Sequence, residues 1–272
     1  MNRFSLSVLL FLGLFVIAPS SFAQATRTWV SGVGNDADPC SRTAPCKTWA
    51  GAISKTASGG EIDALDPGGF GTVTITKPIT LDGGAGQVAS ILASGTNGII
   101  INTAGIVNVR NISISGWGVT LGTNGIRVLA GAQVTVENCV IEGFSQKGID
   151  VAAAVNTSIT IRNVRVNAAA TGISLANTAG SAFGTIVNST ITNASVAGVV
   201  VNNGIVNIET SMLANNPGTA LLPTAGVIRI SNSDLFNDGI GSGAGAGTIV
   251  SAGNNRKAGN GSGASDPTIT AF

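Results

Sequence analysis

The sequence contains no histidine and no tyrosine, and only 4% of its residues are aromatic. Without histidine a Ser-His-Asp triad is excluded. With so few rings, the core must be packed from small aliphatic side chains. Charged residues make up only 10% of the chain, and the 14 basic ones exceed the 13 acidic ones by one. That balance argues against a nucleic acid or an anionic membrane as partner, because both are bound by neutralising phosphate. Beyond the first residues no apolar run is long enough to span a bilayer. What the chain does have is glycine, 38 residues of it, among abundant Val, Ile, Leu and Ala. Such a composition can bury a core and is not that of a disordered chain.

The first residues read as a secretory signal peptide over 1–23. Arg3 supplies the charge, "SLSVLLFLGLFVIA" the apolar stretch, and "SFA" a small-x-small cleavage site, with cleavage after Ala25 as the alternative. The mature chain would be exported to the periplasm or the extracellular space. Removing Arg3 makes it formally neutral.

The remainder repeats. Asn111, Asn138, Asn163, Asn188 and Asn232 share one slot, which Thr210 takes once, at spacings of 27, 25, 25, 22 and 22 residues. Two residues before the slot stand Val109, Val136, Ile161, Ile186, Ile208 and Ile230; three after it stand Ile114, Ile141, Val166, Ile191, Leu213 and Leu235. A second phrase recurs as Gly98-Ile99, Gly125-Ile126, Gly148-Ile149, Gly172-Ile173 and Gly198-Val199. Alternation with period two means short strands with one buried face, and a repeat of this length means a solenoid. Asparagine suits the bend between two strands, where a short amide tolerates turn conformations and bonds nearby backbone. The expected fold is all-β, a single-domain parallel β-helix of roughly 6–8 coils with a short N-terminal capping helix. The ladder asparagines are expected to be buried, which discounts the glycosylation sequons at Asn111 and Asn188.

The segment 24–82 is expected to form the N-terminal cap and first coil. In "CKTWAGAISKTA" Trp49, Ala52, Ile53 and Ala57 fall on one side of an amphipathic helix. Cys40 and Cys46 flank "SRTAP" closely enough for a loop-closing disulfide, which export permits. Cys139 falls in an apolar slot and is expected to be a buried free thiol. Repeats then occupy 83–250, and a glycine-rich coil and tail occupy 251–272.

The N-terminal phrase also carries a resemblance. Trp29-Val30-Ser31, Gly34-Asn35-Asp36, Pro39 to Pro45, Thr48 and Ala52-Ile53 are similar to the opening of secreted right-handed β-helix proteins of the pectate-lyase-like superfamily. The resemblance implies a right-handed coil over nearly the whole mature chain. It does not imply an activity, because that superfamily spans lyases, hydrolases, esterases, tailspikes and adhesins. The Asn-Thr-Asp, Asp-Asp and Gly-His-Gly of polygalacturonase-like hydrolases do not occur here.

Two groups could carry chemistry. Glu61, Asp63 and Asp66 lie in "EIDALD", where Glu61 and Asp63 point the same way on a strand, roughly 6.5–7 Å apart, near the separation used by inverting glycosidases. With Asp82 they could equally begin a calcium site. Arg110, Glu137 and Arg162 form an outward column before the asparagine slot, and Arg165, read as lying on the side of Arg162, adds a cation suited to a sugar carboxylate. The expected function is a non-catalytic surface or matrix protein with a polysaccharide or cell-surface partner. The alternative is a lyase on an acidic glycan, the one reading that would call for calcium.

Overall fold

The computed structural model describes residues 24–84, 89–243 and 245–261. The signal-peptide expectation for 1–23 and the tail from 262 lie outside the described residues. The described chain is an all-β parallel solenoid of about 8 turns, with 24 strands. Each turn contributes to up to three faces, and the strands of successive turns pair in parallel.

On the first face one inward column runs in register through Thr28, Ile62, Leu81, Val109, Val136, Ile161, Ile186, Ile208, Ile230 and Ser251. The second face stacks Ile91, Ile114, Ile141, Val166, Ile191, Leu213, Leu235 and Lys257. The third stacks Val73, Ile99, Ile126, Ile149, Ile173, Val199, Leu221 and Ser242. The aliphatic members are almost completely buried, each worth about 1.5–3 kcal/mol in removed apolar surface. At the far end the three columns finish in Ser251, Lys257 and Ser242, so apolar side chains give way to polar ones where the stack runs out.

The bend between the first and second faces is the asparagine slot. Asn111, Asn138, Asn163, Asn188, Thr210 and Asn232 all have φ between 46° and 60°, the left-handed region in which asparagine is the readiest side-chain-bearing occupant. The amides form a ladder: Asn138 Nδ2 donates to Asn111 Oδ1 at 3.2 Å, and Asn163 Nδ2 to Asn138 Oδ1 at 3.1 Å. The ladder is not buried as expected. Asn138, Asn163, Asn188 and Asn232 are exposed and Asn111 is half-buried, because the left-handed residue turns its side chain outward and the next residue inward. That next residue is Cys139 in one turn, 1% exposed, its thiol pushed up to about 12 by burial and so inert as a nucleophile.

A second bend, after the second face, was not foreseen. Ala168, Asn193, Asn215 and Asn237 are left-handed there, as are Gly143 and Gly259. Inside this corner, buried Asn216 and Asp238 and half-buried Asn260 form a ladder along the axis. Asn216 Oδ1 accepts from Ala194 N at 2.9 Å, Asp238 Oδ1 from Asn216 N at 3.0 Å, and Asn260 Oδ1 from Asp238 N at 2.8 Å.

At the N-terminal end the helix is a single turn, Trp49–Ile53, with the Thr48 side chain accepting from Gly51 N. Trp49 and Ala52 are buried, and the Trp49 ring meets Phe70 edge-on at 5.4 Å between centroids. Ala57 does not extend the helix. Thr56 Oγ1 donates to Ala52 O, and the chain enters the strand Thr56–Ala64, which pairs with Ala25–Val30. Cys40 and Cys46 are disulfide-bonded, their Cα atoms 4.6 Å apart.

Candidate functional site

Outward positions inherit the same register. Two columns on the first face run through Arg27, Glu61 and Thr80, and through Asp63, Asp82, Arg110, Glu137 and Arg162. Strand alternation puts Glu61 and Asp63 on one side, and the next turn places Asp82 beside Asp63. Glu61, Asp63 and Asp82 each bring a carboxylate oxygen within 4.8 Å of the others. Two guanidiniums are threaded among them. Arg27 reaches Glu61 at 2.5 Å and Asp63 at 2.7 Å, and Arg110 reaches Glu61 at 3.1 Å and Asp82 at 2.7 Å.

Asp66 does not join this group. Its carboxylate accepts from the Ser31 hydroxyl at 2.5 Å and from Gly32 N at 2.7 Å, tying down the loop after the first strand. The expected triplet is therefore replaced by Glu61, Asp63 and Asp82, the third drawn from the neighbouring turn.

The two aspartates are tuned in opposite directions. Asp63 is pushed up to about 6, first by burial, then by its hydrogen bond with Glu61 and that carboxylate's charge, against the pull of Arg27. Burial would raise Asp82 as well, but hydrogen bonds from Asn111 and Gly84 and the Arg110 charge outweigh it and hold the group below its usual range. A carboxyl-carbon NMR titration is expected to place the Asp63 midpoint near 6. Glu61→Gln is expected to move that midpoint toward 3.8, the ordinary aspartate value. A midpoint that stays put in Glu61→Gln would show that burial and the Asp82 charge raise it without Glu61.

Carboxylate oxygens are the donors calcium prefers, but that ion takes six to eight of them. Here the two arginines already answer the three carboxylates, and the fit to a cation is poor.

The expected basic candidates are also answered. Arg162 Nη1 lies 3.5 Å from Glu137, and Arg165 Nη2 lies 3.6 Å from Glu142. These two arginines do not share a face. Arg162 ends the strand Thr157–Arg162 and Arg165 opens Arg165–Ala176, with the Asn163 bend between them. One cluster received little weight from the sequence. On the third face Asp150, only 3% exposed, is met by Lys147 Nζ at 2.6 Å and Arg127 Nε at 3.4 Å. In the sequence it is carried by Arg127 and Asp150, which stand in register on adjacent turns, and by Lys147 three residues before Asp150.

These stacked faces and ladders form a parallel β-helix, and the chain matches a right-handed one. The family model for the right handed beta helix region matches residues 79–216, just over half of the chain, and the chain belongs to that family. Among solved structures it is similar to pectate lyase Pel9A, with a TM-score of 0.62 and 16% identity, over 82% of this chain and 67% of that one. It is also similar to the GH136 lacto-N-biosidase from Eubacterium ramulus, with a TM-score of 0.51 and 9% identity, over 85% of this chain and 56% of that one. At such identities the likeness is one of fold, and it relates this fold to that of a polysaccharide lyase. No curated protein matches the sequence.

Proposed function

We propose that this is an exported, non-catalytic β-helix that serves as a surface or matrix protein and binds glycan along its sides. What supports this reading is the state of the candidate charges. Arg27, Arg110, Arg162 and Arg165 are each spent on a carboxylate of an adjacent turn, an arrangement that ties turns together and leaves none of these four candidates free for a substrate. The leader would direct export to the periplasm or the extracellular space and be removed after Ala23 or Ala25. The single helical turn at Trp49–Ile53, packed on the first strands, would act as the N-terminal cap that an open stack needs.

A second reading has one observation in its favour. Glu61, Asp63 and Asp82 converge closely enough to engage a common cation, as a lyase on an acidic glycan would require. The arginines inserted among them count against it.

Affinity electrophoresis of the mature protein through gels containing neutral and acidic polysaccharides tests the proposal. Retardation by at least one polysaccharide, with no new reducing ends on long incubation, is the expected result. Reducing ends that accumulate in proportion to protein would overturn it.

A further inference from the structure

At the corner between the second and third faces the turns are nearly interchangeable, with one exception. Between the inward columns of the second and third faces, the chain takes 8 residues from Ile91 to Ile99 and from Ile141 to Ile149, 7 from Val166 to Ile173, and 8 from Ile191 to Val199. From Ile114 to Ile126 it takes 12. The surplus is a loop closed at its base by Gly122 N donating to Gly116 O at 2.8 Å. It carries Trp117, Val119 and Leu121 at the surface, with Trp117 47% exposed.

The adjacent turn is shaped around that ring. Where later turns place Asn193, Asn215 and Asn237 in the left-handed corner, this one has Gly143 at φ 78°. A Cβ there would lie 2.6–2.8 Å from Cδ2, Cε2 and Cγ of Trp117. Near-equal distances to three atoms of the five-membered ring set Gly143 over the indole face. One face of the ring is covered by the Gly143 backbone, and nearly half of the Trp117 surface remains open to solvent. Beside it runs a polar strip: Ser115, whose hydroxyl accepts from Trp117 N, is in register with Glu142, and Glu142 pairs with Arg165.

We propose that Trp117 is a stacking platform for one pyranose ring of an uncharged glycan chain, with Ser115, Glu142 and Arg165 meeting its hydroxyls. The proposal rests on the glycan-binding reading and gives it a location. The electron-rich face of an indole attracts the C–H face of a sugar, and a pinned ring loses little freedom on binding. A stable protein partner would need about 800 Å² on this side, far more than one ring and two aliphatic side chains provide. A membrane-seeking loop would carry a cationic flank, whereas Glu142 and Arg165 balance.

The test is calorimetry of the mature protein with cellohexaose, xylohexaose, mannohexaose and hexagalacturonate, with tryptophan emission followed in parallel. Trp49 is buried and Trp29 half-buried, so a ligand-induced change in emission reports mainly on Trp117. A neutral hexasaccharide is expected to bind and to shift the emission. Trp117→Ala should weaken binding at least about tenfold, the scale of an aromatic hot spot, while Trp117→Phe retains most of it and neither variant changes the melting temperature. Unchanged affinity in Trp117→Ala would overturn this location and leave glycan binding standing. Binding of hexagalacturonate alone would overturn the uncharged class. Silence across the panel would overturn both the location and the glycan-binding reading.

Discussion

Gly148→Val is expected to cost more than about 3 kcal/mol in urea unfolding and to leave little folded protein at 37 °C. Gly98, Gly125, Gly148, Gly172 and Gly198 stack at the start of the third face, each against the next turn. A Cβ on Gly148 would lie 2.3 Å from Val166 Cγ1 and 2.7 Å from the Gly172 carbonyl oxygen. The methyl could be accommodated only by moving a core side chain, and the carbonyl only by moving backbone. Overpacking by a methylene or two costs about 1–3 kcal/mol when side chains can adjust, and here the backbone cannot. Thr160→Val, on an outward position of the first face, is the control and should stay within about 0.5 kcal/mol of the parent. A Gly148→Val protein as stable as that control would mean that the turns do not approach each other as described.

Asp238→Asn is expected to stabilise the protein at neutral pH by about 1–3 kcal/mol, the usual cost of a buried polar group without a partner. Asn216 and Asn260, one turn either side, use their amide nitrogens to donate to the Ile191 and Leu235 carbonyls at 3.3 and 2.9 Å. Asp238 fills the same slot, is 2% exposed, and has Oδ2 buried without a hydrogen-bond partner. By register, the carbonyl awaiting a donor is that of Leu213. Burial raises the Asp238 pKa above 3.8, against hydrogen bonds from Asn216. A raised folded-state pKa contributes stability that is fully present below the unfolded value and is lost as pH rises through the folded value. The difference between Asp238→Asn and the parent should therefore be small below pH 3.8 and grow above it. A constant difference across that range would assign the effect to packing instead.

How far the sequence reveals this molecule depends on which residues carry the information. The inward columns were legible because their spacing is enforced turn by turn: Val109 to Ile230 and Ile114 to Leu235 stack in the order in which they recur. The asparagine slot was legible as a bend but not in its exposure, because a left-handed φ reverses the side-chain direction that strand alternation would give. The second bend was hidden by its composition. Gly143, Ala168 and Asn193 share a backbone conformation and no side-chain chemistry. Glu61 and Asp63 were visible as neighbours on a strand. Their partners Arg27 and Arg110 are 34 and 49 residues from Glu61, and only the number of residues per turn brings them together. Arg165 was misplaced for a related reason, since two residues of separation mean one face on a strand and two faces across a bend.

The central claim is that Arg27, Arg110, Arg162 and Arg165 and their carboxylate partners hold turns together and do not carry out elimination on a sugar acid. Absorbance near 235 nm (where the unsaturated uronides released by a lyase absorb) tests it most directly. Protein spanning residues 24–272 would be mixed with polygalacturonate, alginate and rhamnogalacturonan, with calcium and with chelator. A flat trace under every condition is the predicted result. A calcium-dependent rise that disappears in Asp82→Asn would contradict the claim and make Glu61, Asp63 and Asp82 a catalytic centre.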